Sequence, residues 1–258
     1  MKIFDILLLN HEVEMLEIRM NILDPYVDYF ILTEGNKTFS GLDKESTYLK
    51  NKDVFKKWEK KIIHNQIEIP DLNITWDREI FSRNSALSLN LFEDDDILLT
   101  SDIDEIPNPK VLFNIDEWIT DDNHHTFRQK CYTYYLNNFY SDNWFGTRAA
   151  RYRYMKNNTI DNIREGTEDV SKISGPLVEN GGWHFTYCGD AQQIRGKIKS
   201  FCDTQFNIPE VMNNIENNLL IGKDIFYRNI NYQVVDLDNS YPDYLLDNKE
   251  KYKHLIRG

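Results

Sequence analysis

Apolar runs and amphipathic stretches take turns along the first hundred residues, and that alternation limits the chain to few architectures. Ile3 to Leu9 is an apolar run interrupted only by Asp5. His11 to Leu23 follows, with Val13, Leu16, Met20 and Leu23 at helical spacing, and Asp24-Pro25 stops it. Tyr26 to Glu34, YVDYFILTE, is apolar on both faces, as a buried parallel strand requires. A polar loop, GNKTFSG, leads to a helix expected near Ser46 to Trp58 and a third strand in KKIIHNQIEI. A further helix is expected over Trp76 to Leu91, and a fourth strand over Asp96 to Ser101. Strands separated by helices pair in parallel through right-handed crossovers, so the expected class is α/β with a mostly parallel central sheet.

After Pro109 the pattern changes. EWITDDNHHTFRQKCYTYYLNNFYSDNWFGTRAARYRYM is dense in aromatic residues and alternates as antiparallel strands do. SGPLVENGGWHFTYCGD reads as a loop with a short strand, AQQIRGKIKSFCDTQF as a helix, and INYQVVDL as a late strand before a polar tail. No Gly-, Ser- or Pro-rich linker divides the chain. The expectation is one domain over 1–258: a ligand-binding half at 1–108, a second, antiparallel and aromatic-rich half at 109–228, and a strand and tail at 229–258. A chain of 258 residues buries roughly three-quarters of its unfolded surface, enough for a large core.

Ligands of open parallel sheets bind beyond the carboxyl ends of the strands. Glu34 and the cluster Asp102, Asp104 and Glu105 fall at such ends. Asp-X-Asp on an extended segment places two carboxylates on one side, about 6–7 Å apart at the backbone. That spacing suits a hard divalent cation, Mg²⁺ or Mn²⁺, bridging to phosphate. A capped, solvated turn is the plain alternative, since Asp and Pro are ordinary turn residues.

Arg83 falls within a stripe of Trp76, Ile80, Leu87 and Leu91, where a guanidinium requires a partner: phosphate, or Asp102 or Glu34. Asn84 stands beside it. His184 follows Gly181-Gly182-Trp183, whose glycines allow a close backbone approach, and is a third candidate metal ligand or a structural histidine. Glu179 and Asp190 bracket it as candidate general bases. Tyr134, Tyr140 and Trp144, with Asn137, offer stacking faces and hydrogen bonds to a sugar, and the alternative for these rings is core.

The net charge of −12 argues against a nucleic-acid backbone as the main partner. The N-terminal apolar run is too short for a membrane span. Three scattered cysteines, Cys131, Cys188 and Cys202, suit a reducing, cytoplasmic setting.

Taken in order, LEIRMNILDPYVDYFILTEGNKTFSGLDK, DREIFSRN, DDDILLTSDIDEIPNP and GGWHFTYCGDAQQIRGKIKSF resemble glycosyltransferase family 17. Best known in that family are enzymes adding the bisecting β-1,4-linked N-acetylglucosamine to N-glycans. The resemblance implies a GT-A-like nucleotide-sugar-binding fold, a nucleotide-sugar donor such as a UDP-sugar, a glycan acceptor and inversion at the anomeric carbon. It implies Mn²⁺ or Mg²⁺ held by Asp102 and Asp104, with His184 as a further ligand. Asn10, Glu12, Glu34, Arg83, Asn84 and Asp102 become donor-site candidates; Tyr134, Asn137, Trp144 and Trp183 are placed on the acceptor side. The general base is sought among Glu179, Asp190 and Glu105, with Glu179 preferred. Gly189-Asp190 and Asp203-Thr204-Gln205 depart from the family pattern, which bears on acceptor and donor choice.

A non-catalytic sugar- or metal-binding module is the alternative of another class. An aspartyl-nucleophile phosphohydrolase would want the acids on the first strand rather than the fourth. The aromatic-rich C-terminal half also suits a homodimer interface.

Overall fold

The computed structural model describes residues 1–258. Its strands are β1 (Ile3–Leu8), β2 (Tyr29–Gly35), β3 (Ile62–Ile67), β4 (Ile97–Asp102), β5 (Glu105–Pro107), β6 (His125–Thr133), β7 (Asn138–Trp144), β8 (Arg148–Arg151), β9 (Leu177–Thr186) and β10 (Gln233–Val234). All join one sheet, ordered β10-β7-β6-β8-β4-β1-β2-β3, with β9 pairing β5 and β6. The N-terminal block β4-β1-β2-β3 is parallel throughout. From β8 onward antiparallel pairing dominates, β6–β9 being the exception. The expected α/β architecture, parallel first half and antiparallel second half, is the observed one.

Side chains alternate across β1 and fill two separate layers. Leu7 and Leu9 join the large core with the helix Val13–Leu23, whereas Phe4 and Ile6 face Leu98, Phe92 and Met155 on the other side. Asp5 points into the large core with no exposed surface. Its carboxylate accepts two hydrogen bonds from Arg19, Nε to Oδ2 at 2.8 Å and Nη2 to Oδ1 at 2.7 Å. Arg19 spends its other donors on the turn after β4: Nη1 donates to the carbonyls of Asp102 (3.0 Å) and Glu105 (2.7 Å), and Nη2 to Ser101 Oγ (2.6 Å). A fully buried ion pair thus clamps the backbone that carries the acidic cluster.

Several elements depart from expectation. The helix near Ser46 to Trp58 is broken into Thr47–Lys50 and a single turn at Lys56–Trp58. Glu34 at the end of β2 explains the short helix, because its carboxylate accepts from the amides of Thr47 and Tyr48, from Ser46 Oγ (2.6 Å), and from Lys44 and His64. The loop is organised around one buried acid rather than an apolar stripe. The helix expected to Leu91 is Thr75–Ser85 followed by a 3₁₀ turn, Ala86–Leu89. Its proposed stripe is not buried: Trp76 and Leu91 are exposed, and the inward face is Ser82, Arg83 and Ala86. The short strand expected within SGPLVENGGWHFTYCGD is instead ten residues long, includes His184, and is held on both edges by β5 and β6. The late strand shrinks to Gln233–Val234 at the sheet edge.

Gly182 makes the β5–β9 approach possible. Its φ is +138°, and a Cβ there would lie 2.1 Å from the Ile106 carbonyl oxygen. No helix is long and apolar enough to cross a membrane.

Two predictions follow from the buried charges. Arg19→Met leaves Asp5 buried and unpaired, a change that costs about 3–5 kcal/mol, read as a lowered urea midpoint. Burial raises the Glu34 carboxyl, but His64, Lys44 and Ser46 outweigh it and hold it at about 2, below the ordinary 4.5. Its contribution is complete above pH 4.5 and is lost as the pH falls towards 2. Glu34→Gln should therefore lower stability at neutral pH and flatten the acid limb of the stability–pH curve in that window.

Candidate active site

β4 ends at Asp102, and the chain turns through Ile103 and Asp104 into β5. The two acids take different partners. Asp102 is 41% exposed and receives Arg83 Nη1 at 2.8 Å and Arg164 Nη2 at 3.2 Å. Desolvation raises its carboxyl, but Arg83 and Arg164 prevail and hold it at about 2. Arg83, projecting from the inward face of its helix, also pairs with Glu79 one turn earlier. Asp104 is buried and lies 2.7 Å from Lys197 Nζ and 3.5 Å from His184 Nε2. Burial opposes its charge, and Lys197 and His184 overcome that, holding it far below the usual carboxylate range. Both acids are therefore ionised.

His184 lies on β9, opposite Glu105 of β5 in the ladder. Its Nδ1 is 3.5 Å from Cys131 Sγ, and its ring stacks on Trp144 with centroids 4.0 Å apart. Burial pushes the imidazole down, but Cys131 and Asp104 outweigh it and lift it to about 10. Glu105 has no exposed surface, and its carboxylate accepts from the Asp102 amide (2.9 Å), Trp144 Nε1 (2.9 Å) and Arg164 (2.8 and 3.2 Å). Gly146 makes room for it, since a Cβ there would fall 2.2 Å from Glu105 Oε1.

These groups open onto a cavity of about 750 Å³ at the carboxyl ends of β1 and β4. Ten carboxylate residues line it against five Lys and Arg. An aromatic wall of Tyr187, Phe201, Phe206 and Phe226 closes one side, with Phe206 and Phe226 centroids 4.6 Å apart. Tyr187 takes φ +53° directly after β9, a conformation a tyrosine rarely adopts, and lies 5.2 Å from Lys197 Nζ.

The cavity gathers Asn10, Glu12, Arg83, Asp102, Asp104, Glu105, Tyr140, Trp144 and His184 from among the sequence candidates. Asn10 donates from Nδ2 to Ser200 Oγ at 2.8 Å, and Glu12 Oε2 accepts from the His11 amide at 2.9 Å. Glu34 does not line the cavity, being saturated by its own loop, and neither does Asn84, whose Oδ1 accepts from the Asp161 amide at 3.2 Å. Glu179 and Trp183 line a different hollow of about 830 Å³, which contains none of the strand-end acids. There Glu179 pairs with Arg128 at 3.3 Å and Trp183 Nε1 donates to the Ser240 carbonyl at 3.0 Å. Asp190 is a helix cap, its Oδ1 accepting from the Gln193 amide at 2.8 Å. Tyr134 donates to Asp224 at 3.0 Å, and Asn137 donates to the Val235 and Arg257 carbonyls, tying in the tail.

Arg164 and Lys197 were not foreseen from the sequence. Arg164 follows Ile160 and Ile163 in a short, irregular segment that carries no periodic signal. Lys197 flanks the buried Ile194 and Ile198 on the helix Ala191–Ser200, where a lysine reads as an ordinary solvated neighbour.

No curated protein matches the chain. Among solved structures, a galactosyltransferase, LgtC, in complex with donor and acceptor sugar analogs is 13% identical, with a TM-score of 0.36, covering 62% of each chain. This chain thus spans about 62% of that enzyme's length. An active-site mutant of LgtC matches at 14% identity and a TM-score of 0.34, covering 62% of this chain and 61% of that one. A 4-diphosphocytidyl-2C-methyl-D-erythritol synthase matches at 10% identity and a TM-score of 0.36, over 85% of this chain and 99% of that one. The sequence itself matches the profile of glycosyltransferase family 17 across residues 1–258, and the chain belongs to that family.

Proposed function

We propose that the cavity beyond β4 binds a nucleotide-sugar donor with a divalent cation, and that the sugar passes with inversion to a glycan hydroxyl. The observation that carries this reading is the charge of the site. Ten carboxylate residues against five Lys and Arg make a poor host for a diphosphate alone, so an anionic donor requires a cation to accompany it. Asp102 and Asp104 fit that cation, because both are ionised oxygen donors and Asp102 is 41% open. No three His, Cys, Asp or Glu side chains gather as a ready cage. A cation on the two aspartates would therefore complete its shell with phosphate and water, as Mg²⁺ and Mn²⁺ commonly do. When bound, it supplies charge neutralisation to the departing diphosphate.

The protein's own groups divide the remaining work. Arg83 and Arg164 hold Asp102 charged and aligned and put positive charge on the donor wall. His184, with both ring nitrogens engaged, holds Asp104 in place from behind. Trp144 and the wall of Tyr187 and Phe226 offer faces to the acceptor sugar. The base is drawn from lining carboxylates with no ion-pair partner, Asp161, Glu165, Glu168 and Asp203, since Glu105 is saturated and Glu179 and Asp190 do not line the cavity. N-acetylglucosamine from UDP is the first donor to try, because the family's best-known members transfer it.

The test is a screen of nucleotide sugars for hydrolysis or transfer with and without Mn²⁺. The expected result is nucleoside diphosphate released from one UDP-sugar, suppressed by EDTA. Release from no nucleotide sugar, or release indifferent to EDTA, contradicts the reading. Among Asp161→Asn, Glu165→Gln, Glu168→Gln and Asp203→Asn, one should lower kcat at least roughly hundredfold at unchanged donor affinity.

A further inference from the structure

Asp104 cannot give both oxygens to a cation while Lys197 stays where it is. Lys197 Nζ lies 2.7 Å from Asp104 Oδ2, the shorter of that carboxylate's two ion-pair contacts. The lysine has an alternative berth in Glu12, whose Oε1 is 3.9 Å from the same nitrogen. Glu12 is pinned for this by its other oxygen, Oε2, which accepts from the amides of Asn10 (3.2 Å) and His11 (2.9 Å). The lysine side chain is 26% exposed and follows the Tyr187 ring at 5.2 Å, so the cavity has room for its ammonium to shift.

We propose that Lys197 is a resident counter-ion for Asp104, displaced towards Glu12 when a divalent cation enters. The inference rests on the metal reading above and adds to it a positioning residue. In the metal-free protein the lysine neutralises a buried carboxylate that would otherwise be costly. On exchange, the +1 ammonium leaves Asp104 as a divalent cation shared with Asp102 arrives, so the site is never left with an uncompensated acid. The freed ammonium then stands beside the incoming phosphates. Lys197 thereby makes cation and donor binding cooperative, since with metal alone the displaced lysine gains only Glu12, and with metal and donor it gains the phosphates as well.

The test is Mn²⁺ binding to the full chain, read from loss of the free-ion EPR signal, without and with UDP. Removing the competitor in Lys197→Gln should tighten Mn²⁺ binding without UDP by roughly tenfold, and shrink the enhancement that UDP gives the wild type. Lys197→Arg, which keeps the charge, should stay near wild type. Glu12→Gln should weaken Mn²⁺ binding in the wild type but much less in the Lys197→Gln background. Equal Mn²⁺ affinity of wild type and Lys197→Gln overturns the exchange while leaving the metal reading intact. Absence of Mn²⁺ binding by all variants, with and without UDP, overturns both.

Discussion

The buried pair of Arg19 and Asp5 is the constraint on which the site depends. Two charges with no solvent exposure are tolerated because every guanidinium nitrogen has a partner, two reaching Asp5 and the rest reaching the β4–β5 turn. The clamp links β1, the first helix and the turn bearing Asp102 and Asp104. Side chains on a turn are only as well placed as the backbone beneath them, and here that backbone is bonded to a side chain locked in the core.

Above that clamp the site is organised by paired charges. Arg83 and Arg164 hold Asp102, while Lys197 and His184 hold Asp104. Glu105 ties Arg164, Trp144 and the Asp102 amide together from below. The result is two ionised aspartates at the mouth of an acidic cavity, one open and one buried. Such an arrangement favours a cation over a bare anion, which is the basis for proposing that a cation accompanies the diphosphate.

Much of this was legible in the sequence. The strand–helix alternation gave the parallel block, and the strand-end rule placed Asp102 and Asp104 at the end of β4. Asp94 and Asp95, before β4, pair instead with Lys156 and Arg153 at the surface. The helix-stripe argument reached a right conclusion for Arg83, which is buried and paired with Asp102, from an apolar stripe that is not there. Arg83 lies on a polar inward face, whereas Arg19, three residues after Leu16 and four before Leu23, is the arginine set in an apolar stripe. Asp5 was visible as an interruption of β1, but nothing local names its partner 14 residues on. Lys197 and Arg164 were illegible for a related reason. They meet the acids across separations of 93 and 62 residues, and only the sheet's topology brings them there. Glu179, Asp190 and Trp183 flank His184 in sequence, yet a β-strand sends neighbours to opposite faces and a helix cap consumes the acid that starts the next element.

The central claim is that Asp102 and Asp104 form a cation-dependent diphosphate site, and calorimetry of UDP binding tests it most directly. With Mn²⁺ present the wild-type protein should bind UDP, and with EDTA or with Asp104→Asn that binding should fall at least roughly a hundredfold. UDP affinity that is the same with Mn²⁺, with EDTA and in the Asp104→Asn protein would contradict the account.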